Sequence, residues 1–186
     1  MTTRSRSWLL TLLLLPLALA AISDTEEKRP PSGADLEERV RSALLRLPDY
    51  GVFDQLSFRV DGDLVTLDGA VHRAIVKTEA EEALTRTPGV GRVLDRARLL
   101  PVSTEDDRVR REVFWRIYTD DFLAKHGTPA AGNRIGSHPV RIIVENRNVS
   151  LCGAVNSDAD RARAGAEAGR VAGVRSVVNE IRVAGD

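Results

Sequence analysis

The chain is poor in cysteine, in aromatic residues and in net charge. Among its 186 residues it has a single cysteine, Cys152, and 4% aromatics, and its 27 basic and 27 acidic side chains cancel. A lone thiol excludes an internal disulfide, so any fold must stand on its apolar cores alone. Balanced charge leaves no electrostatic footprint for nucleic acid. Motifs that carry chemistry are also missing: there is no G-x-S-x-G, no H-E-x-x-H and no glycine-rich phosphate cradle. His126 and His138 have no carboxylate or thiol at ligand spacing beside them, and His72 stands alone, so these three read as solvated histidines rather than metal ligands. Acid pairs such as Asp106-Asp107, Asp120-Asp121 and Glu81-Glu82 read as solvated helix faces. The expectation is a protein without catalytic activity, cofactor or metal.

Long apolar runs are scarce as well, and the one present is at the start. Arg4 and Arg6 precede the stretch LLTLLLLPLALA, which ends in the cleavage pattern Ala18-Leu19-Ala20. This predicts a signal peptide over residues 1–20, cut after Ala20, and a periplasmic or secreted product. The run from Trp8 to Ile22 is shorter than the roughly 20 residues that span a bilayer. Cleavage would remove Arg4 and Arg6 and no acid, leaving a slight acidic excess. Residues 21–33 include the polar, proline-rich SDTEEKRPPSG and read as a flexible linker.

What remains has the composition of an ordinary globular protein, with 42% hydrophobic and 29% charged residues. It also repeats itself. VDGDLVTLDGAV, residues 60–71, returns as VENRNVSLCGAV, residues 144–155, and the same shift aligns Arg86 with Arg170, Gly89-Val90 with Gly173-Val174, and Arg98 with Arg182. In the first copy, Leu36, Val40, Leu44 and Leu47 make a helical stripe that ends at Pro48. Leu56, Phe58 and Val60 then alternate with polar residues, Asp61-Gly62-Asp63 forms a hairpin turn, and the alternation resumes at Val65 and Leu67. A second helical stripe through Val76, Ala80 and Leu84 stops at Pro88-Gly89, and a last strand runs from Val93 to Leu99.

The second copy follows the same order after a long helix, with a Ser-Asp cap opening its later helix. The prediction is an α+β protein of two tandem αββαβ domains, residues 34–101 and 104–186, each a three-stranded sheet with two helices on one face. Gly69 and Gly153 are expected at the corner where strand gives way to helix, and Gly89 and Gly173 as left-handed helix terminators. Cys152 continues the alternation Val149 in, Ser150 out, Leu151 in, so its thiol should point away from the helix-covered face.

The phrase VDGDLVTLDGAV, the run PGVGRVLD and the second ending AGVRSVVNEIRV resemble the BON domain, over roughly residues 35–101 and 104–184. Two copies behind a signal peptide are similar to the osmotically inducible periplasmic BON proteins. The resemblance implies a non-enzymatic module that attaches to phospholipid or other envelope surfaces and supports envelope integrity under osmotic stress. Two departures concern the second copy: Asn146, Arg147 and Asn148 replace Gly62, Asp63 and Leu64, and about eleven extra residues separate its first helix from its first strand.

One helix stands out, predicted over residues 105–124. Val109, Val113 and Ile117 make an aliphatic stripe, while Phe114, Trp115, Tyr118 and Phe122 fall on nearly the opposite side, with Arg108, Arg111 and Lys125 beside them. Each ring buries about 150 to 250 Å2 when covered, so four together need a partner. Rings flanked by cations suit an anionic membrane surface, and these seven side chains are the candidate lipid- or partner-binding residues. The alternative is that the aromatic face packs against the first domain. An envelope protein engaged by the same patch or by an open sheet edge is the other class of partner.

Overall fold

The computed structural model describes residues 33–121, 123–126 and 138–184. Residues 31–186 form one compact unit, and within it the duplication appears as two sheets. The first copy runs α1 (Gly33–Leu45), β1 (Gln55–Asp61), β2 (Leu64–Val71), α2 (Ala74–Thr85), β3 (Arg92–Asp95) and β4 (Arg98–Leu99). The second runs α3 (Thr104–Thr119), a short 3-10 turn (Ala124–His126), β5 (Val140–Glu145), β6 (Asn148–Val155), α4 (Asp158–Gly169) and β7 (Ser176–Val183).

In each sheet the hairpin is antiparallel and the last strand returns parallel to the middle one. The order is β1-β2-β3 in the first and β5-β6-β7 in the second, with β4 continuing beside the far end of β2. The predicted α+β class and tandem arrangement are therefore present. The single predicted strand from Val93 to Leu99 is broken at Arg96-Ala97: the Asp95 carboxylate accepts from the Ala97 N–H at 2.8 Å, and Ala97 turns into the core at 2% exposure. A local side-chain bond of this kind competes with the sheet ladder.

Two apolar cores result. Val40, Leu44, Leu56, Val65, Leu67, Val76, Ala80 and Leu84 fill the first, and Val109, Val113, Ile117, Ile142, Val149, Leu151, Ala164 and Ile181 the second. Val52, from the connection between α1 and β1, belongs to the second core although it lies in the first copy. A small third cluster of Ala70, Leu100 and Ile143 and an ion pair between Arg98 and Glu145 at 2.6 Å also join the copies.

One of the two repeated glycine pairs lies elsewhere than expected. Gly69 and Gly153 lie within β2 and β6, before the strand ends, at φ +122° and +115°. A Cβ there would sit 2.1 Å from the Gln55 carbonyl oxygen and 1.9 Å from that of Pro139, so glycine lets the neighbouring strand start flush against the backbone. Gly89 and Gly173, at φ +97° and +88°, do follow their helices as left-handed residues.

Candidate binding surface on helix α3

Helix α3 opens on Ser103, whose hydroxyl accepts from the Asp106 N–H at 3.2 Å, and its first turn holds Glu105, Asp106 and Asp107. Acceptors and acids at an N-terminus match the exposed N–H groups and dipole there. The helix ends at Thr119, earlier than predicted, because Asp120 adopts extended backbone. Lys125 consequently sits on the 3-10 turn rather than on α3.

The buried side of α3 is one arc covering about half the circumference, Asp106, Val109, Arg110, Val113, Phe114, Ile117 and Tyr118. The expectation that the aromatics gather opposite the aliphatic stripe does not hold: Phe114 and Tyr118 extend that stripe. Tyr118 is 1% exposed, and its hydroxyl donates to the Val140 carbonyl at 2.7 Å and accepts from the Val140 N–H at 3.0 Å. Burial raises its pKa well above the ordinary tyrosine value, so it serves as a neutral donor and acceptor. Phe114 meets the Phe53 ring edge-on at 5.8 Å, across the junction of the copies.

His138, expected as a solvated loop residue, is fully buried, its ring 4.4 Å from Tyr118 and 5.2 Å from Phe114. His72 is also tied in: its ring stands edge-on to Phe53, its backbone N–H donates to the Asp54 carboxylate at 2.7 Å, and its Nε2 lies 3.9 Å from the Asp107 carboxylate. Burial lowers the His72 pKa, and Arg110 adds to that effect. Nor is Asp106 a solvated acid. At 2% exposure it accepts from the Asn146 and Arg147 N–H groups at 2.8 and 2.7 Å, holding the β5–β6 turn. Arg110, equally buried, pairs with Asp107, donates to the Val144 carbonyl at 3.0 Å and lies over Phe53. Sequence periodicity could not find these groups: Phe53, which meets His72, Arg110 and Phe114, comes from the first copy, and the partners of Asp106 lie 40 and 41 residues along the chain.

The seven candidate residues therefore separate. Phe114 and Tyr118 are inside the protein. Arg108 is engaged by Glu112 at 2.9 Å, by Glu105 at 3.4 Å and by the Ala172 carbonyl. Lys125 pairs with Asp160 at 2.9 Å. Phe122 lies outside the described residues. Trp115 and Arg111 remain on the surface: the indole is 55% exposed, with one edge supported by Phe114 at 6.2 Å, and Arg111 takes part in no ion pair among the described residues. Among the described residues no three His, Cys, Asp or Glu side chains cluster as metal ligands, and no helix is long and apolar enough to cross a membrane.

The model of the BON domain matches residues 32–101 and again 129–185, so α3 falls between the two matched segments. A search of the curated proteins gave no match. Among solved structures, the chain is similar to the C-terminal domain of CdsD, described as the structural protein of the type III secretion system of Chlamydia trachomatis. Identity is 16% over 82% of this chain and 98% of that one, with a TM-score of 0.29. A second structure of CdsD gives 17% identity over 80% and 92%, with a TM-score of 0.27.

Proposed function

From the premise that this chain belongs to the BON domain family, we propose that it is a non-enzymatic protein of the cell envelope that attaches to anionic phospholipid surfaces through Trp115 and Arg111 of α3. The observation that carries this reading is the exposure of Trp115, 55%, in a chain whose other described aromatics are buried or half-buried. An indole has an apolar body and a polar N–H, and it prefers the headgroup depth of a bilayer. Arg111, four positions and about one turn before Trp115 on α3, adds attraction to anionic lipid worth about 1 kcal/mol near the surface. One ring and one or two cations make a weak, salt-sensitive contact. In this reading residues 1–20 direct the chain out of the cytoplasm and are cut after Ala20, and loss of the protein weakens the envelope under osmotic stress.

Sedimentation of the processed chain with anionic vesicles at low and high salt tests the proposal. Binding at low salt, reduced by salt and by Trp115→Ala or Arg111→Glu, is expected. After removal of Trp8 with the leader, Trp115 is the only indole, and its emission should shift to the blue on vesicles. No sedimentation at low salt rejects the reading, and the mass of the processed chain tests the cleavage site. A second reading, an adaptor that holds another envelope protein, is favoured by one observation: β1 is an edge strand, and its outer side pairs with no other strand among the described residues.

A further inference from the structure

The two copies present the same strand edge and finish it differently. In the first sheet the carbonyls of Asp63, Leu67 and Val71 face β3 and β4, accepting from Gly91, Arg92, Arg96 and Leu100. The intervening residues of β2 therefore face β1, and the register pairs Leu64 with Asp61, Thr66 with Arg59 and Asp68 with Ser57. The backbone groups of Leu56, Phe58 and Val60 point outward from the sheet. Their counterparts in the second copy, Val140, Ile142 and Val144, also point outward, and there the edge is occupied. Tyr118 bonds the Val140 N–H and carbonyl, the Val52 carbonyl accepts from the Ile142 N–H at 2.8 Å, and Arg110 donates to the Val144 carbonyl.

On β1 only the first of these positions is filled, by the Tyr50 hydroxyl accepting from the Leu56 N–H at 3.0 Å. Phe58 and Val60 have no such outward partner among the described residues. Beside them runs an open groove of about 500 Å3 between β1 and α1. Its apolar floor includes Leu44 and Phe58, and Leu45 on its wall is 51% exposed. Arg41, Arg59, Arg141 and Arg182 line it against a single acid, Glu37. Arg59 and Arg182 take part in no ion pair among the described residues, and Arg41 lies over the Phe58 ring at 5.5 Å.

We propose that the β1 edge and its arginine-lined groove bind an extended acidic peptide segment of a partner protein, which adds a strand beside Phe58 and Val60. Strand addition supplies main-chain hydrogen bonds for affinity, and alternate side chains read the groove. The second copy demonstrates the chemistry within this molecule: the segment Gly51-Val52 already lends a carbonyl to the matching edge, with Val52 fully buried. The positive groove selects for carboxylates on the residues flanking the apolar ones. This inference rests on the adaptor reading and narrows it to one edge; it does not involve Trp115.

The probe is a short labelled peptide of alternating glutamate and valine, followed by fluorescence anisotropy with the processed chain. Binding is expected, and Arg59→Glu with Arg182→Glu, both at exposed positions, should weaken it by about tenfold or more. Leu45→Asp provides an independent variant, and an unchanged thermal melt shows that each is folded. Bound peptide should slow amide exchange at Phe58 and Val60, while a version N-methylated at alternate nitrogens should fail to bind. No anisotropy change, equal binding of a lysine–valine peptide, or binding indifferent to N-methylation overturns the proposal. So does slow exchange at Phe58 in the free chain that deepens with concentration, which assigns the edge to a second copy. If the wild type retains an envelope protein and the double arginine variant retains it equally, the edge is wrong and the adaptor reading stands; if the wild type retains none, that reading falls.

Discussion

One sequence phrase builds two sheets here, and the sheets differ in how each is closed at its outer strand. In the second copy a buried tyrosine, a buried arginine and a segment borrowed from the first copy cover β5. In the first, a tyrosine reaches the start of β1 and the rest of the strand faces an open groove. A duplicated unit thus keeps its core and varies its rim. The lesson concerns where function resides: the core of a small sheet-and-helix unit leaves little room for change, since its residues must pack, whereas an edge can be covered internally or left for a partner.

The largest expected effect tests whether the cores are equivalent. Gly69→Ala and Gly153→Ala each force a Cβ against a cross-strand carbonyl at a backbone angle that disfavours side chains. Each should cost more than about 3 kcal/mol in urea unfolding. If one substitution is tolerated and the other is not, the two copies are not the same unit.

A smaller loss distinguishes the two hairpins. The first turn uses Gly62 at φ +60°, whereas the second holds Asn146 and Arg147 at +51° and +63°, anchored by the buried Asp106. Asp106→Ala strands two N–H groups and should destabilise by about 2 to 3 kcal/mol. Arg147→Gly in that background should restore part of the loss, because glycine adopts the left-handed region freely. No recovery would mean that Asp106 acts through something other than the turn.

The tyrosines come next. Tyr118→Phe removes a hydroxyl that both donates and accepts at Val140, and should cost about 1 to 2 kcal/mol. Tyr50→Phe removes one acceptor beside an open groove and should cost less. Equal losses would indicate that the two edges are closed alike.

The smallest effect leaves stability unchanged. Cys152 lies on the helix-free side of β6, as the alternation predicts, and its thiol contacts Glu180 at 3.4 Å. Burial first, and then the Glu180 carboxylate, raise its pKa to about 11. Only the thiolate reacts, so near pH 8 alkylation should be roughly two orders of magnitude slower than for free cysteine. Glu180→Gln should accelerate it several-fold, whereas a rate like that of free cysteine would place the thiol elsewhere.

How much was legible in the sequence follows the same division. Hairpin register, the stop of α2 and most of the first core rest on local periodicity and on Gly62, Pro88 and Gly89, and they were readable residue by residue. The far side of α3 was not. A helical wheel marks which side chains share a face, but it does not reveal that Phe53 arrives from the first copy to meet Phe114, or that His138 closes over Tyr118. Asp106 read as a surface acid for the same reason: its two partners lie 40 and 41 residues away. Among the described members of the predicted patch, Arg111 and Trp115 are left on the surface without an ion pair, while Arg108 is held by Glu105 and Glu112 within one helical turn and Lys125 by Asp160, an acid that the linear order did not bring near.

Amide hydrogen exchange on the free processed chain tests the difference between the two edges most directly, by comparing Phe58 with Ile142. Slow exchange at Ile142, whose N–H is held by Val52, and fast exchange at Phe58 is the result that an occupied and an open edge require. Equal protection at both positions would contradict it.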